Sequence, residues 1–147
     1  MLIFDDLNAV IDFIQDGNKD FYPEVKTIDA YKGQLSDAVK NNNVIKLADR
    51  LPAVYVILID SKPLAIIEDY NFDLLIVTES KTFDKKEKHT AALTITGKIC
   101  NYLKVHDGFN YNGKDYSIEA EAVKVAHLMT DNKYSIYQIS LPIKDLK

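Results

Sequence analysis

Cysteine occurs once in this 147-residue chain, at Cys100, and tryptophan does not occur at all. A single thiol can form neither an intrachain disulfide nor a multi-cysteine metal site. The pattern fits a reducing compartment. Five glycines are scattered singly, so no glycine-rich phosphate loop is present. HExxH, CxxC and G-x-S-x-G are also missing. The longest apolar runs are too short to cross a bilayer as a helix. No positively charged n-region precedes an apolar run, and Asp5 and Asp6 interrupt the start, so a signal peptide is not expected. Positive charge is scarce as well, with 18 Lys and Arg against 22 Asp and Glu, a net charge of −4 and a pI of about 5.3. Duplex-binding proteins show the opposite balance. The expected location is the cytoplasm.

What the chain does contain is an ordinary globular composition, 47% hydrophobic and 27% charged, which argues against disorder and fibrous classes. A chain of this length buries roughly two-thirds of its unfolded surface and needs no staple. No internal repeat or long linker divides it, so residues 1–147 are read as one domain.

Ile3, Leu7, Val10, Ile11 and Ile14 line one face of an amphipathic helix, with Asp5 and Asp6 in its first turn and Gly17-Asn18 stopping it. Residues 1–24 hold six acids against Lys19 alone, which predicts an acidic outer face. Val25 to Tyr31 reads as a short strand. A helix is expected from about Gln34, weakened at Asn41-Asn42-Asn43, with a further short turn around Val44 to Ala48. Ala53 to Ile59 is continuously apolar and β-branched, as is much of Tyr70 to Thr78; both read as central strands, paired antiparallel across a turn at Asp60 to Pro63. Residues 79–88 (ESKTFDKKEK) read as a polar loop, followed by a helix from about His89 to Lys104 that buries Ala92, Ile95, Ile99, Tyr102 and Leu103. After a loop at Gly108, Asn112-Gly113 is a strong hairpin turn. Tyr116 to Leu128 reads as a strand whose inward phase slips near Ala122-Val123, from the face of Ile118, Ala120 and Ala122 to that of Val123 and Val125, a sign of a bulge or of burial on both faces. Asp131-Asn132 then turns into a last strand, Tyr134 to Leu141. The fold class expected is α+β, a single antiparallel or mixed sheet of about four to five strands with helices packed on it.

No side chain stands out as catalytic, cofactor-binding or metal-ligating. His89, His106 and His127 are widely separated, and their spacing requires no convergence. Cys100 lies within an amphipathic helix, where a lone cysteine behaves as a small hydrophobe. Glu119 and Glu121, two apart on the expected strand with Asp115 nearby, read as its solvent face. An enzyme would have to assemble its site from these dispersed groups. The residues singled out as a contact surface are Lys81, Phe83, Lys85, Lys86 and Lys88 in the polar loop, since long loops often carry binding.

The order of elements resembles that of the Mu-like phage tail terminator (tail completion) proteins of contractile-tailed phages and prophages. Asp29-Ala30-Tyr31-Lys32-Gly33, then Leu51-Pro52-Ala53-Val54-Tyr55-Val56, carry the resemblance. It continues through the strand Phe72 to Thr78, the helix His89 to Leu103 and the closing strand Tyr137 to Leu141. The glycine-rich segment often found in that family after the central strand is replaced here by Asp60-Ser61-Lys62. The resemblance implies a structural assembly protein without enzyme activity or cofactor. Its subunits would form a ring, typically hexameric, that caps the tail tube, stops polymerisation and joins the head. Tail tube and head completion proteins would be its partners, with incidental DNA contact and no membrane, and the finished virion tail would be its destination. The alternative is a small adaptor or immunity-like module that binds one protein partner.

Overall fold

A computed structural model describes residues 3–20, 25–31, 51–63, 67–79, 85–130 and 134–146. The helix and short turn expected between Gln34 and Ala48 lie outside these residues. Helix α1 spans Ile3–Asp16 and is followed by a 3-10 turn, Asn18–Asp20. Strands β1 (Thr27–Ala30), β2 (Ala53–Pro63) and β3 (Ile67–Glu79) precede helix α2 (Lys85–His106). Strands β4 (Gly108–Tyr111) and β5 (Lys114–Ile118), a 3-10 turn (Ala120–Ala122), β6 (Lys124–Thr130) and β7 (Tyr134–Leu146) complete the chain.

The chain is thus α+β with one mixed sheet, but the sheet has seven strands rather than four or five. Two features account for the difference. Gly108 begins β4 instead of opening a loop, and the long strand expected over Tyr116 to Leu128 is broken into β5 and β6. The strand order is β1-β2-β3-β7-β5-β4, with β6 also on β7. Only β1–β2 is a parallel pair; the others are antiparallel. The break has a clear geometry. On the edge of β7 away from β3, Ser135 to Ser140 pair with β6 and Ile143 to Leu146 pair with β5. The 3-10 turn carries the chain from one pairing to the other, at the position of the phase slip.

β2 and β3 are adjacent and central, as their composition predicts. Their pairing extends further than expected. Asp60 to Pro63 continue β2 opposite Asn71 to Glu68 rather than turning, with a register shift between Leu58 and Asp60. Continuous apolar sequence follows from burial on both faces. Val54, Val56, Phe72, Leu74 and Ile76 face the helices, whereas Ala53, Tyr55, Leu75, Val77 and Ile136 form a second cluster on the opposite face. α1 lies over β1 and β2, and α2 lies over β3 and β7.

The core face of α2 is the one expected: Ala92, Ile95, Ile99, Tyr102 and Leu103 are all buried. The hairpin turn is also where Asn112-Gly113 puts it, with φ of 52° and 81° at the two residues, both in the left-handed region such a turn demands. An aromatic series then ties the helices to the hairpin. Tyr102 packs on Phe13, Phe13 stacks on Phe109 and Phe109 on Tyr116, with ring centroids 4.8, 4.3 and 5.0 Å apart.

Candidate functional site

The polar segment between β3 and α2 is shorter than the sequence suggests. Glu79 closes β3, and helix α2 begins at Lys85, so Lys85, Lys86 and Lys88 belong to its first turn and not to a loop. Lys81 and Phe83 lie outside the described residues. The five residues picked as a contact surface therefore do not form one continuous loop.

The acidic residues are also redistributed. Asp6 is not on the outer face of α1; it is 2% exposed. It accepts a hydrogen bond from Tyr116 Oη at 2.5 Å and pairs with Lys114 Nζ at 3.2 Å. The Lys114 ammonium also sits over the rings of Tyr70 and Tyr116. A buried carboxylate needs such partners, because removing it from water unpaired costs several kcal/mol, roughly. This group joins α1 to the β4–β5 hairpin. Asp12 and Asp16 do lie on the exposed side of α1.

Glu119 and Glu121 do not share a strand face. Glu119 precedes the 3-10 turn and pairs with Lys144 at 2.6 Å, whereas Glu121 lies within the turn. That hydrogen bond raises the Lys144 ammonium above the usual lysine value. Asp115 accepts a hydrogen bond from Asn110 beside the hairpin turn. His106 packs against Tyr102 and Phe13 at the end of α2, while His127 of β6 packs against Tyr137 of β7. Among the described residues, no three His, Cys, Asp or Glu side chains converge as metal ligands. No helix among them is long and apolar enough to cross a membrane.

The surface that does stand out is one the sequence reading assigned to the core. In β6 every residue from Lys124 to Met129 is exposed, with Val125, Leu128 and Met129 at 49, 50 and 37%. Ala120 and Ala122, read as inward-facing, are exposed too. α2 sits over β3 and β7 and so stops short of the outer strand. The result is an open groove of about 380 Å³ between them, lined by Cys100, Leu103, Val123 and Val125, with Lys104 and Glu121 at its margin. Cys100 is half-buried here, and burial pushes its thiol above the ordinary cysteine value.

The two ends of the sheet differ in a second way. Along β1, the Ile28 carbonyl accepts a hydrogen bond from Gln15 Nε2 at 3.0 Å, and the Ala30 amide donates to the Asp29 carboxylate at 2.7 Å. Side chains thus occupy backbone groups that a further strand would need. Among the described residues, no strand pairs with β6 on the side away from β7. Exposed, unpaired edges are the places where sheets accept another chain.

No protein-family model matches this chain, and no curated protein matches it.

Proposed function

We propose that this chain is a structural subunit of a phage or prophage tail, of the kind its sequence resembles. In that role it assembles as a ring on the end of the tail tube, halts polymerisation and offers the surface to which the head joins. The observation that carries the assembly reading is the open edge of β6 with an apolar groove beside it. Surfaces of this kind bind other polypeptides through main-chain hydrogen bonds and side-chain pockets. Two groups of ionisable side chains form structural pairs: Asp6 with Lys114 and Tyr116, and Glu119 with Lys144. The resemblance supplies the tail, the ring and the cap.

The test is to look for a tail-tube gene beside the gene of this chain, polymerise tubes from its product with and without the purified chain, and measure them by negative-stain electron microscopy. Shorter tubes carrying a ring at one end are expected. Tubes of unchanged length with bare ends would sink the proposal.

A second reading is an adaptor or immunity-like module with a single protein partner. It is favoured by the contrast between a β1 edge occupied by side chains and an open β6 edge, since one open edge suits one contact. A stoichiometric complex with a non-tail protein, and no effect on tubes, is the outcome that reading requires.

A further inference from the structure

We propose that Asn112 is a site of spontaneous covalent modification, in which the Gly113 backbone nitrogen displaces the side-chain amide and water then leaves aspartate or isoaspartate in its place. The sequence holds one Asn-Gly pair, Asn112-Gly113. Asparagine is thermally labile, and it is most open to this attack when glycine follows, because no Cβ shields the attacking nitrogen. The fold adds to that local tendency. With Tyr111 opposite Lys114, only Asn112 and Gly113 form the turn between β4 and β5, and both are exposed. The space around Gly113 is open: a Cβ built there would meet nothing within 4 Å apart from its chain neighbours. The Gly113 amide donates to Asn110 Oδ1 at 3.3 Å, longer than the usual range for such a bond. Asn110 is held differently. Its Nδ2 donates to Asp115 at 2.9 Å, and the bulky Tyr111 follows it.

The reaction balances with water as the co-reactant. The Gly113 nitrogen gives its proton to solvent base and bonds to Cγ of Asn112; the Cγ–Nδ2 bond breaks, and the amide nitrogen takes up a proton and leaves as ammonia. Water then opens the cyclic imide at either of its carbonyls. Entry at Cγ restores the original backbone with a carboxylate side chain. Entry at the main-chain carbonyl gives isoaspartate, whose backbone runs through Cβ and Cγ and is one atom longer. A two-residue turn has no slack for that atom, because its type fixes φ at both positions, 52° and 81° here. Lys114 comes immediately after the turn. Its ammonium pairs with Asp6 of α1 at 3.2 Å and sits over the Tyr70 and Tyr116 rings. Isoaspartate at position 112 therefore displaces the residue that ties the hairpin to α1, and the tie loosens.

The experiment is to incubate the full chain in mildly alkaline buffer at body temperature and to follow the tryptic peptide 105–114 by mass spectrometry. That peptide holds both asparagines, so Asn110 is an internal control. Fragment ions are expected to place the amide-to-acid mass gain on Asn112 and not on Asn110. The aged acidic fraction is then isolated by anion exchange, and its isoaspartate scored by the same fragments. It should have a lower thermal midpoint than freshly purified Asn112→Asp, which carries the charge without the longer backbone. Asn112 still an amide in the folded chain, after the same peptide has converted in urea, would overturn the site. Equal conversion at Asn110 would remove the selectivity assigned to the turn and overturn it as well. An isoaspartate-rich fraction that melts with Asn112→Asp would refute the loosened tie.

Discussion

Gly17 shows how much a single side chain can decide. A Cβ at this position would meet the Tyr102 ring at 2.6 to 2.8 Å. That ring is held in place, because its hydroxyl donates to the Phe13 carbonyl at 2.7 Å and its face packs on Phe13. Gly17→Ala should therefore cost about 1–3 kcal/mol through overpacking, read as a lowered urea midpoint with an unchanged slope. Val56 makes the complementary case. It is buried at the centre of β2, packed on the helix side of the sheet. Val56→Asp should abolish the cooperative melt, since an unpaired buried charge costs several kcal/mol against a total of about 5–15. A folded Val56→Asp protein with a normal melt would contradict this placement of the core. Asp73 carries a milder consequence. Burial, partly offset by a hydrogen bond from Ser140, raises its carboxyl above the ordinary aspartate value. The folded state then holds this proton more tightly than the unfolded one, so its contribution to stability falls as pH rises through the carboxylate range. Asp73→Asn should remove that part of the pH dependence of the urea midpoint.

At the scale of elements, α2 illustrates a helix that is longer than its apolar periodicity. The core stripe runs from Ala92 to Leu103, but the helix begins at Lys85. Lysine and glutamate are good helix formers, so a polar run can extend a helix that packing has already nucleated. Replacing Lys81, Lys85, Lys86 and Lys88 with Ser tests whether these charges also bind. Solvated lysines of this kind change stability by roughly half a kcal/mol or less each when replaced, so a melt that moves little is the outcome expected for charges that act only by contact. If the lysines contact a tube or a neighbouring subunit, tube capping should fall and should weaken with added salt. A quadruple variant that caps tubes as well as the wild type would confine the lysines to a solvated helix end.

For the whole molecule, the sheet is covered unevenly. Helices protect its middle, side chains protect the β1 edge, and β6 projects beyond α2 with its apolar residues in water. Exposed, unpaired edges are where sheets accept another chain, which is what the proposed assembly role uses. Tube capping, as described above, tests that role.

Local pattern alone determined several of these features. The β-branched run at Ala53 to Ile59 requires a central strand because side chains of both parities are apolar. Asn112-Gly113 requires a tight hairpin because both residues tolerate positive φ. The spacing of Ala92, Ile95, Ile99 and Leu103 defines the core face of α2. The slip near Ala122-Val123 lies where β5 gives way to β6, but it is a break with a 3-10 turn and not the bulge or two-sided burial expected there. Pairing between distant parts of the chain was decided only in three dimensions. Asp6 looked like a surface acid at a helix start until Lys114 and Tyr116, more than a hundred residues away, were folded against it. Val125 looked like a core residue because alternation records which side chains share a face, not whether anything covers that face. Only the position of α2 over β3 and β7 left it in solvent. Periodicity is a local property of the backbone, whereas cover and pairing depend on which distant surfaces the fold brings together.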